Sequence, residues 1–390
     1  MHCWMLHGAM KKTAILRDES FVAVAGCFSL FGVVIGTWAT HIPFAKARLD
    51  ASASSIGLAL LCMALGGVLT MPIMGWLINR LGSSTTCKLA CSLALVLMPF
   101  PFFMHNIELF SLSLLVLGGT LGALDVAMNA QGLLVEQKLG RPVMSIFHGV
   151  YGYAALVSSL LSAVLIIFLS EPLRAILSAF IGISCFAIIQ RGFLAPGLDR
   201  NKAAQSFVLP SRKTIGLGLL CALALMIENS VIEWFGIFLL TERLAAPQLS
   251  FIAFAIFTGS FATSRLFADR GRAAIGSARF VFICALCTGL SLAAAVTVTT
   301  LPLCIFFLAL TGICLGPIAP IFFVGGGRVE PKNPGAGIST VTTLGYLGTT
   351  AGPPIVGFIA DGSTVGWALT GVAASMLLIA TFSRAAAAAD

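Results

Sequence analysis

The stretch FVAVAGCFSLFGVVIGTWATHIPFA, residues 21–45, runs for 25 residues without an aspartate, glutamate, lysine or arginine. A helix needs about 20 apolar residues to cross roughly 30 Å of hydrocarbon, so this stretch is long enough to span a bilayer. Eleven further apolar stretches follow it along the chain. The predicted spans are 21–45, 54–79, 85–104, 108–134, 143–169, 173–191, 214–241, 249–268, 278–298, 301–324, 335–360 and 364–383.

The composition of the 390-residue chain agrees with these spans. Hydrophobic residues make up 58% of it and charged residues 10%, and the mean hydropathy is +1.01. A soluble domain could not hide that much apolar surface. The sequence therefore predicts an all-α integral membrane protein with 12 transmembrane helices. It excludes functions that do not act in or across a bilayer.

Basic residues predict the orientation of the chain. If both termini lie on one side, every lysine and arginine falls on that side except Lys46, Arg48, Arg174 and Arg243. Such a bias places both termini in the cytoplasm, as expected for a multi-pass protein of a bacterial inner membrane. The net charge of +8 then follows from topology. We expect the basic loops to meet anionic lipid headgroups, and we expect no nucleic-acid partner.

The N-terminal segment predicts that the first span stays in the protein. Met10-Lys11-Lys12 resembles a bacterial initiation context. No small-residue cleavage site follows the first span, so we expect it to be retained and not removed as a signal peptide.

The longest polar stretch, 191–213, divides the chain into six spans and six spans. Paired six-helix halves, with a substrate site between them near the bilayer midplane, are the layout of alternating-access transporters. We expect such a chain to work as a monomer. The predicted parts are an N-terminal cytoplasmic segment, a first bundle, a cytoplasmic loop, a second bundle and a cytoplasmic tail, at 1–20, 21–192, 193–213, 214–383 and 384–390.

Two related loops support a duplication of the half. GWLINRLG, residues 75–82, follows the second span, and RLFADRGR, residues 265–272, follows the eighth. Both resemble the signature loop of the major facilitator superfamily, Gly-x-x-x-Asp-Arg-x-Gly-Arg, whose acid meets a helix N-terminus and locks the inside-closed state. An ordinary basic turn is the alternative. The predicted gating residues are Gly75, Asn79, Arg80, Gly82, Arg265, Asp269 and Arg270.

Two acids lie inside predicted spans, Asp125 in the fourth and Glu228 in the seventh. A charge at mid-membrane costs about 2.5–3.5 kcal/mol, so such residues face the protein interior or a wet cavity and usually have a function. Asn129 is one helical turn from Asp125, and Asn229 and Glu233 share a face in the same way. We predict that Asp125 is the principal protonatable residue and that Glu228 faces it across the central cavity as its counterpart. The alternative is a structural hydrogen-bond network that fixes helix packing.

Histidine and aromatic residues complete the candidate site. His148 lies early in the fifth span, where an imidazole can relay protons or donate a packing hydrogen bond. Trp38 and Trp234 could stack on a sugar or another planar ligand, or they could face the membrane. The candidate substrate-binding residues are Trp38, His41, Asn129, Tyr151, Asn229, Glu233, Trp234 and Tyr346.

Several motifs in both halves resemble one branch of the superfamily, in the same chain order. They are WATHIP at 38–43, DVAMN at 125–129, FHG at 147–149, ENS at 228–230 with Glu233-Trp234, TLGY at 343–346 and GPP at 352–354. This pattern is similar to the bacterial YbjJ-type major facilitator proteins, distant relatives of fucose permease. The resemblance implies the 12-helix fold and an alternating-access mechanism.

The resemblance also implies a role for one residue. An acid on the fourth helix of fucose permease is central to proton-coupled sugar uptake, and Asp125 is the residue at the similar place. The chain departs from the pattern at two positions. His41 stands where relatives can carry arginine, and Asn79 replaces the acid of the signature loop.

The first functional interpretation is a proton-coupled transporter of a small polar solute, such as a sugar or a related metabolite. The second is a drug or metabolite exporter of the same fold. Drug/proton antiporters typically carry Gly-x-x-x-Gly-Pro-x-x-Gly-Gly in the fifth helix, whereas this helix has no proline after Pro142. The third is a membrane-embedded enzyme or a sensor that transports nothing.

The sequence lacks the motifs that the third interpretation would require. The sequence has no HExxH, Gly-x-Ser-x-Gly or P-loop motif, and no loop is long enough for an output domain. Cys284 and Cys287 form a CxxC, but it lies in an apolar span without a second pair. We therefore expect a protein that is not an enzyme and that has no cofactor and no metal site.

Overall fold

The computed structural model describes residues 18–195, 198, 211–331 and 334–390. Within those residues the chain folds into fourteen α-helices and no strands. The helices are α1 Glu19–Arg48, α2 Ala53–Leu81, α3 Ser83–Leu97, α4 Ile107–Leu139, α5 Met144–Leu165, α6 Glu171–Ile189, α7 Arg212–Thr241, α8 Pro247–Arg265, α9 Ala268–Ile275, α10 Ser277–Thr297, α11 Leu301–Leu315, α12 Ile318–Val329, α13 Pro334–Gly362 and α14 Val365–Thr381. Three short 3-10 helices are Phe100–Phe103, Gln190–Gly192 and Ser383–Ala389.

The prediction of an all-helical membrane protein is confirmed. In the described part of the chain, nine helices or helix pairs are long and apolar enough to cross a membrane. Two further pairs are bent, by 51° between α8 and α9 and by 59° between α14 and the last 3-10 helix. Each could form one more span, and the total of 12 stays a prediction.

The tenth predicted span is broken into α11 and α12. The break falls at Gly316 and Pro317. Proline has no N–H to continue the helical ladder, and a break at membrane depth is tolerated where neighbouring groups satisfy the freed carbonyls. Arg265 at the end of α8 donates from Nε to the Gly316 carbonyl at 3.2 Å. This contact satisfies one carbonyl at the break.

Two glycines turn the chain where the two loop motifs end. Gly82 has φ 84° and ψ 150° before α3, and Gly276 has φ 79° and ψ 151° before α10. Glycine adopts a positive φ without the steric cost that a Cβ would add. The first motif is helical up to Gly82, in α2, whereas the second is interrupted at Leu266 and Phe267 between α8 and α9. The chain therefore turns at Gly82 after the first motif, but bends by 51° within the second before it turns at Gly276.

Asp18 starts α1 as its N-cap. Its carboxylate accepts from the N–H groups of Ser20 and Phe21 and from Lys138 Nζ at 2.8 Å. Burial alone would raise the pKa of this carboxyl, but the hydrogen bonds, that of Lys138 first, lower the pKa to about 2. Asp18 is therefore ionised at neutral pH, where it stabilises the first turn of α1.

Carboxylates from elsewhere in the chain cap five more helices. Glu136 accepts from the first amides of α5, Glu330 from Ser211 before α7, and Glu242 from Gly366 in α14. Asp390 accepts from Ser277 in α10, so the predicted tail 384–390 is docked and Ala386 and Ala389 are buried. Asp361 accepts from Ala53 and Ser54 in α2. These acids satisfy amides that have no partner inside their own helix.

The helices form two halves, α1–α6 and α7–α14. One hydrophobic cluster contains only residues of the first half, such as Phe28 and Phe147. A second is built on the second half but also includes Trp38, Ile42 and Phe110 of the first. A third, small cluster of Ala39, Ala155 and Phe254 contains residues of both halves. Much of the predicted inter-bundle loop 193–213, and most of the predicted segment 1–20, lie outside the described residues.

The two ends of the helices differ. We name the end with the connections 49–52, 98–106, 166–170, 242–246, 298–300 and 363–364 the closed end, because the halves pack tightly there. We name the other end the basic end; there α2, α4, α6, α8, α12 and α14 end, and α1, α3, α5, α7, α10 and α13 begin.

The halves touch at the closed end through several helix pairs. Ser159 of α5 donates to the Phe251 carbonyl of α8 at 2.6 Å. A Cβ on Gly236 of α7 would stand 3.0 Å from Pro43 of α1, and α2 meets α13 beside Asp361. Toward the basic end, Gly75 of α2 has open space beside it.

Candidate functional site

Asp125 of α4 joins the two halves through a hydrogen bond. Its Oδ2 accepts from the Tyr346 hydroxyl of α13 at 3.0 Å. Its Oδ1 accepts from Asn129 Nδ2 at 3.0 Å, and the same nitrogen donates to the Asp125 carbonyl at 2.8 Å. The structure thus brings three predicted site residues together between the halves. A carboxyl group held in this way can respond to a proton and to movement of the opposite half.

Glu228 of α7 pairs with Arg265 of α8. Its Oε2 lies 4.0 Å from the guanidinium, and the side chain of Arg265 is one third exposed. The guanidinium carbon also lies 4.3 Å from the centre of the Phe261 ring. Glu228 was predicted to face Asp125 across the cavity, but its direct partner is a cation of its own half. The residue that reaches Asp125 from the second half is Tyr346.

Tyr151 and His148 of α5 lie beside this cluster. Tyr151 is close enough to Glu228, Arg265 and Asp125 for their charges to act on its hydroxyl. His148 is exposed, and its ring packs edge-on to Phe28 at 5.2 Å. Residues of α4, α5, α7, α8 and α13 therefore line one polar region, to which both halves contribute.

Asn229 and Glu233 of α7 have different surroundings. Asn229 Nδ2 donates to the Leu225 carbonyl at 3.0 Å and to Thr349 Oγ1 of α13 at 3.3 Å. Glu233 Oε2 is buried and has no hydrogen-bond partner among the described residues. Asn229 thus ties α7 to α13 within the second half, and Glu233 leaves one carboxyl oxygen free.

The two tryptophans are packing residues in this conformation. Trp38 is 3% exposed, with its ring 5.9 Å from Phe110 and 6.3 Å from Phe102. Trp234 is fully buried. Neither ring offers a free face to a solute, so the structure does not support their predicted stacking role. The sequence shows the tryptophans near polar residues but not which face of the helix they occupy.

His41 is also engaged in packing. Its Nε2 accepts from Arg174 Nε at 3.1 Å, and its Nδ1 lies 2.5 Å from the Thr37 carbonyl. Since arginine only donates, Nε2 is the acceptor and Nδ1 carries the proton given to Thr37. Arg174 also lies over Phe251 of the second half, at 5.8 Å. Both ring nitrogens of His41 are occupied in this conformation, and its role in substrate binding stays a prediction.

The predicted gating residues have different surroundings in this structure. Asn79 and Arg80 are exposed, and Arg80 lies over the Trp76 ring at 5.4 Å. The side chain of Asp269 is 93% exposed and its carboxylate is 3.5 Å from Arg272. The spacing of Arg265 and Asp269 predicts a pair one turn apart, but the chain bends between α8 and α9. Arg265 therefore turns inward to Glu228. Arg270 stays outside, over the Phe267 ring at 5.8 Å.

A small apolar pocket lies between the halves near the closed end. Helices α1, α7, α8 and α11 contribute to its wall, which includes Thr40, Pro43, Ile232, Phe254 and Leu308. None of the acids of the polar cluster lines it. The polar cluster and not this pocket is therefore the candidate functional site.

The comparisons with known proteins fit this architecture. The chain is 30% identical over 358 residues to an uncharacterised MFS-type transporter of Yersinia pestis, which covers 92% of this chain and 93% of the relative. The chain belongs to the major facilitator superfamily. It is also 25% identical to an uncharacterised transporter of Sinorhizobium fredii, over 88% of this chain and 91% of the relative. No family model matches the sequence.

Solved structures show the same MFS fold. A point mutant of the nucleoside transporter NupG has a TM-score of 0.80 at 13% identity, over 94% of this chain and 99% of that one. A bacterial homologue of the lysosomal transporter Spinster, in an inward-facing and occupied conformation, has a TM-score of 0.68 at 13% identity, over 94% of each chain. The YbjJ-type branch stays a prediction.

Two functional features of this MFS protein escape sequence reasoning. Arg265 was assigned to a loop, yet it is the cation of the polar cluster. Its sequence signal is an arginine in the last turn of an apolar helix, one turn after Phe261. Thr349 was not singled out, yet it receives the hydrogen bond of Asn229. Its signal is weaker, because one hydroxyl in an apolar span is common.

We expect His41→Leu to act on stability and not on solute binding. The substitution leaves Arg174 Nε of this MFS protein without its acceptor, and an orphaned buried group costs about 1–3 kcal/mol, whereas the Thr37 carbonyl still accepts from the Thr40 hydroxyl at 3.1 Å. The melting temperature in detergent should fall, while the folded fraction should bind solute with unchanged affinity. Ser184→Ala, on the exposed face of α6, is the control and should change neither. A loss of affinity at normal stability would contradict this role.

Proposed function

We propose that this MFS protein is a secondary active transporter that moves a small polar solute by alternating access, coupled to protons. Its basic end would lie in the cytoplasm of a bacterial cell, with the protein embedded in the inner membrane as a monomer. The observation that carries the proposal is the hydrogen bond between Asp125 of the first half and Tyr346 of the second. In this proposal, a titratable group between the halves would link a proton to their movement.

The free-energy cost of enclosing a charge would link protonation of Asp125 to closure of the halves. An ionised carboxylate at mid-membrane is expensive, and protonation removes the charge. The halves can then close around a neutral Asp125 and its solute. When the site opens to the other side, water readmits the ionised form and the proton leaves. Glu228 and His148 would tune this exchange, Glu228 through its pair with Arg265.

The polar groups of the site favour a solute with hydroxyl or amide groups. Tyr151, Tyr346, Asn129 and Thr349 can donate or accept hydrogen bonds, and a solute needs several such partners to replace its water. Sugars and related metabolites fit this description. Nucleosides belong in the same class for testing, because NupG, which shares the fold, is named as a nucleoside transporter.

A ligand screen followed by transport would test the proposal. Thermal shift of the purified protein with sugars, polyols and nucleosides identifies a ligand. Proteoliposomes with an acidic exterior should then accumulate that ligand above its outside concentration, and a protonophore should reduce it to equilibrium. Equilibration of the ligand without accumulation would indicate a transporter that is not coupled to protons. Accumulation only with an acidic interior would favour the drug or metabolite exporter.

A further inference from the structure

We propose that Asp361 is a latch between the halves, which holds the closed end shut by capping a helix of the other half. Asp361 is in the last turn of α13, and the capped helix is α2. The inference rests on the proposed function in one respect, since alternating access requires this end to open. The hydrogen bonds that define the latch and the experiment that tests it do not depend on transport.

The carboxylate of Asp361 completes the first turn of α2. Oδ1 accepts from the Ala53 amide at 2.8 Å, and Oδ2 accepts from the Ser54 amide at 3.0 Å. The N-cap residue Ser52 accepts from the next amide, that of Ser55, at 3.1 Å. The first amides of a helix have no partner within the helix, and its N-terminus favours a negative charge. Separation of the halves removes two of these three bonds at once.

Two glycines allow α2 and α13 to pack closely beside Asp361. Gly357 is one turn before Asp361, and a Cβ there would stand 2.6 Å from the Ala53 carbonyl. Gly57 is one turn after Ala53, and a Cβ there would stand 2.8 Å from the Pro353 carbonyl. The backbones of α2 and α13 are thus in direct contact, and small residues allow such an approach. This contact places the carboxylate in front of the amides.

The other long-range carboxylate caps do not join the halves. Glu242 is the useful comparison, because it also lies at the closed end and accepts from an amide, that of Gly366, at 3.0 Å. Both groups belong to the second half, so opening of the closed end leaves this cap intact. Glu242 and Asp361 therefore differ in whether the bond must break when the halves part.

The basic end has no matching charge in the first loop motif. Asn79 stands where the signature acid would be, and it is exposed. Asp269 of the second motif is paired with Arg272 beside it and not with the other half. A charged latch at one end and a first motif without its acid at the other favour the conformation that is shut at the closed end.

Distance measurements on the full chain in lipid nanodiscs would test the latch. Spin labels attached through unnatural amino acids at His105 and Thr299, exposed loop residues of opposite halves at the closed end, leave the native cysteines in place. No solute or gradient is needed. The unsubstituted chain should give a single short distance by double electron–electron resonance.

Asp361→Asn should add a second, longer distance, with the open-to-shut ratio raised about fivefold, because asparagine loses the negative charge at the helix N-terminus and one of the two acceptor oxygens. Gly357→Ala should shift the ratio in the same direction, because its Cβ pushes α2 from α13. Glu242→Gln should lower the melting temperature without changing the distances.

Identical distances in Asp361→Asn and the unsubstituted chain would overturn the latch, as would an equal shift in Glu242→Gln. A failure of the proposed function looks different, since it would appear as absent transport with the distance shift still present.

Discussion

Asp125→Asn should abolish accumulation driven by a pH gradient while exchange of solute across the membrane continues. Asparagine keeps the shape of the side chain and can accept from the Tyr346 hydroxyl, but it has no proton to lose. The variant therefore resembles the protonated form permanently. A charge at mid-membrane costs about 2.5–3.5 kcal/mol, so the halves should close more readily without it. The expected result is a solute ratio near one across the membrane.

Proteoliposomes with an imposed pH gradient measure this effect, and counterflow of labelled solute measures exchange. Tyr346→Phe is the matched control, because it removes the same hydrogen bond and keeps the carboxyl group. It should still accumulate solute, at a lower rate. If Asp125→Asn accumulates solute at the normal rate, Asp125 is structural, and the coupling residue must be sought at Glu228 or His148.

Arg265→Met should destabilise the protein, and Glu228→Gln in the same chain should restore much of the loss. Removal of one partner of a buried pair leaves an uncompensated charge, at a cost of about 3–5 kcal/mol. Arg265 is one third exposed and the pair is 4.0 Å apart, so solvent screening reduces the expected cost to about 1–3 kcal/mol. The double variant has no charge left to compensate.

The melting temperatures of both variants in detergent, with and without ligand, decide this prediction. Arg272→Met is the control, because its partner Asp269 is 93% exposed and such pairs contribute little. A double variant as unstable as Arg265→Met would indicate another role for Arg265. Its contacts with the Gly316 carbonyl and the Phe261 ring would then explain the loss.

The helices were predictable because hydrocarbon offers no hydrogen-bond partner to the backbone of a spanning segment. Every amide in hydrocarbon must bond within its own segment, so an uncharged stretch such as 21–45 becomes a helix. The structure extends it to Glu19–Arg48, and Asp18 supplies the cap that hydropathy does not register. Asp125 was predictable for a related reason, because the cost of burying an acid indicates a function wherever it lies.

Directions of side chains were less predictable. His41 and Trp38 lie among polar motif residues, but only tertiary packing shows that His41 meets Arg174 and that Trp38 meets Phe110. Helical spacing placed Arg265 and Asp269 on one face, and the bend after α8 separated them. The sequence contains each residue of the Asp125–Tyr346 bond, yet their separation of 221 positions gives no local pattern.

The glycines Gly82 and Gly276 bear on the ancestry of the two halves. Their backbone angles nearly coincide, although the residues before them have diverged to Asn79-Arg80 in one copy and Asp269-Arg270 in the other. A position that needs a positive φ tolerates little but glycine, so it changes more slowly than an exposed side chain. An alignment of the two halves should therefore be anchored on these turns. Because Asn79 precedes its glycine by three positions and Asp269 precedes its own by seven, that alignment places four additional residues in the second repeat, next to the bend between α8 and α9.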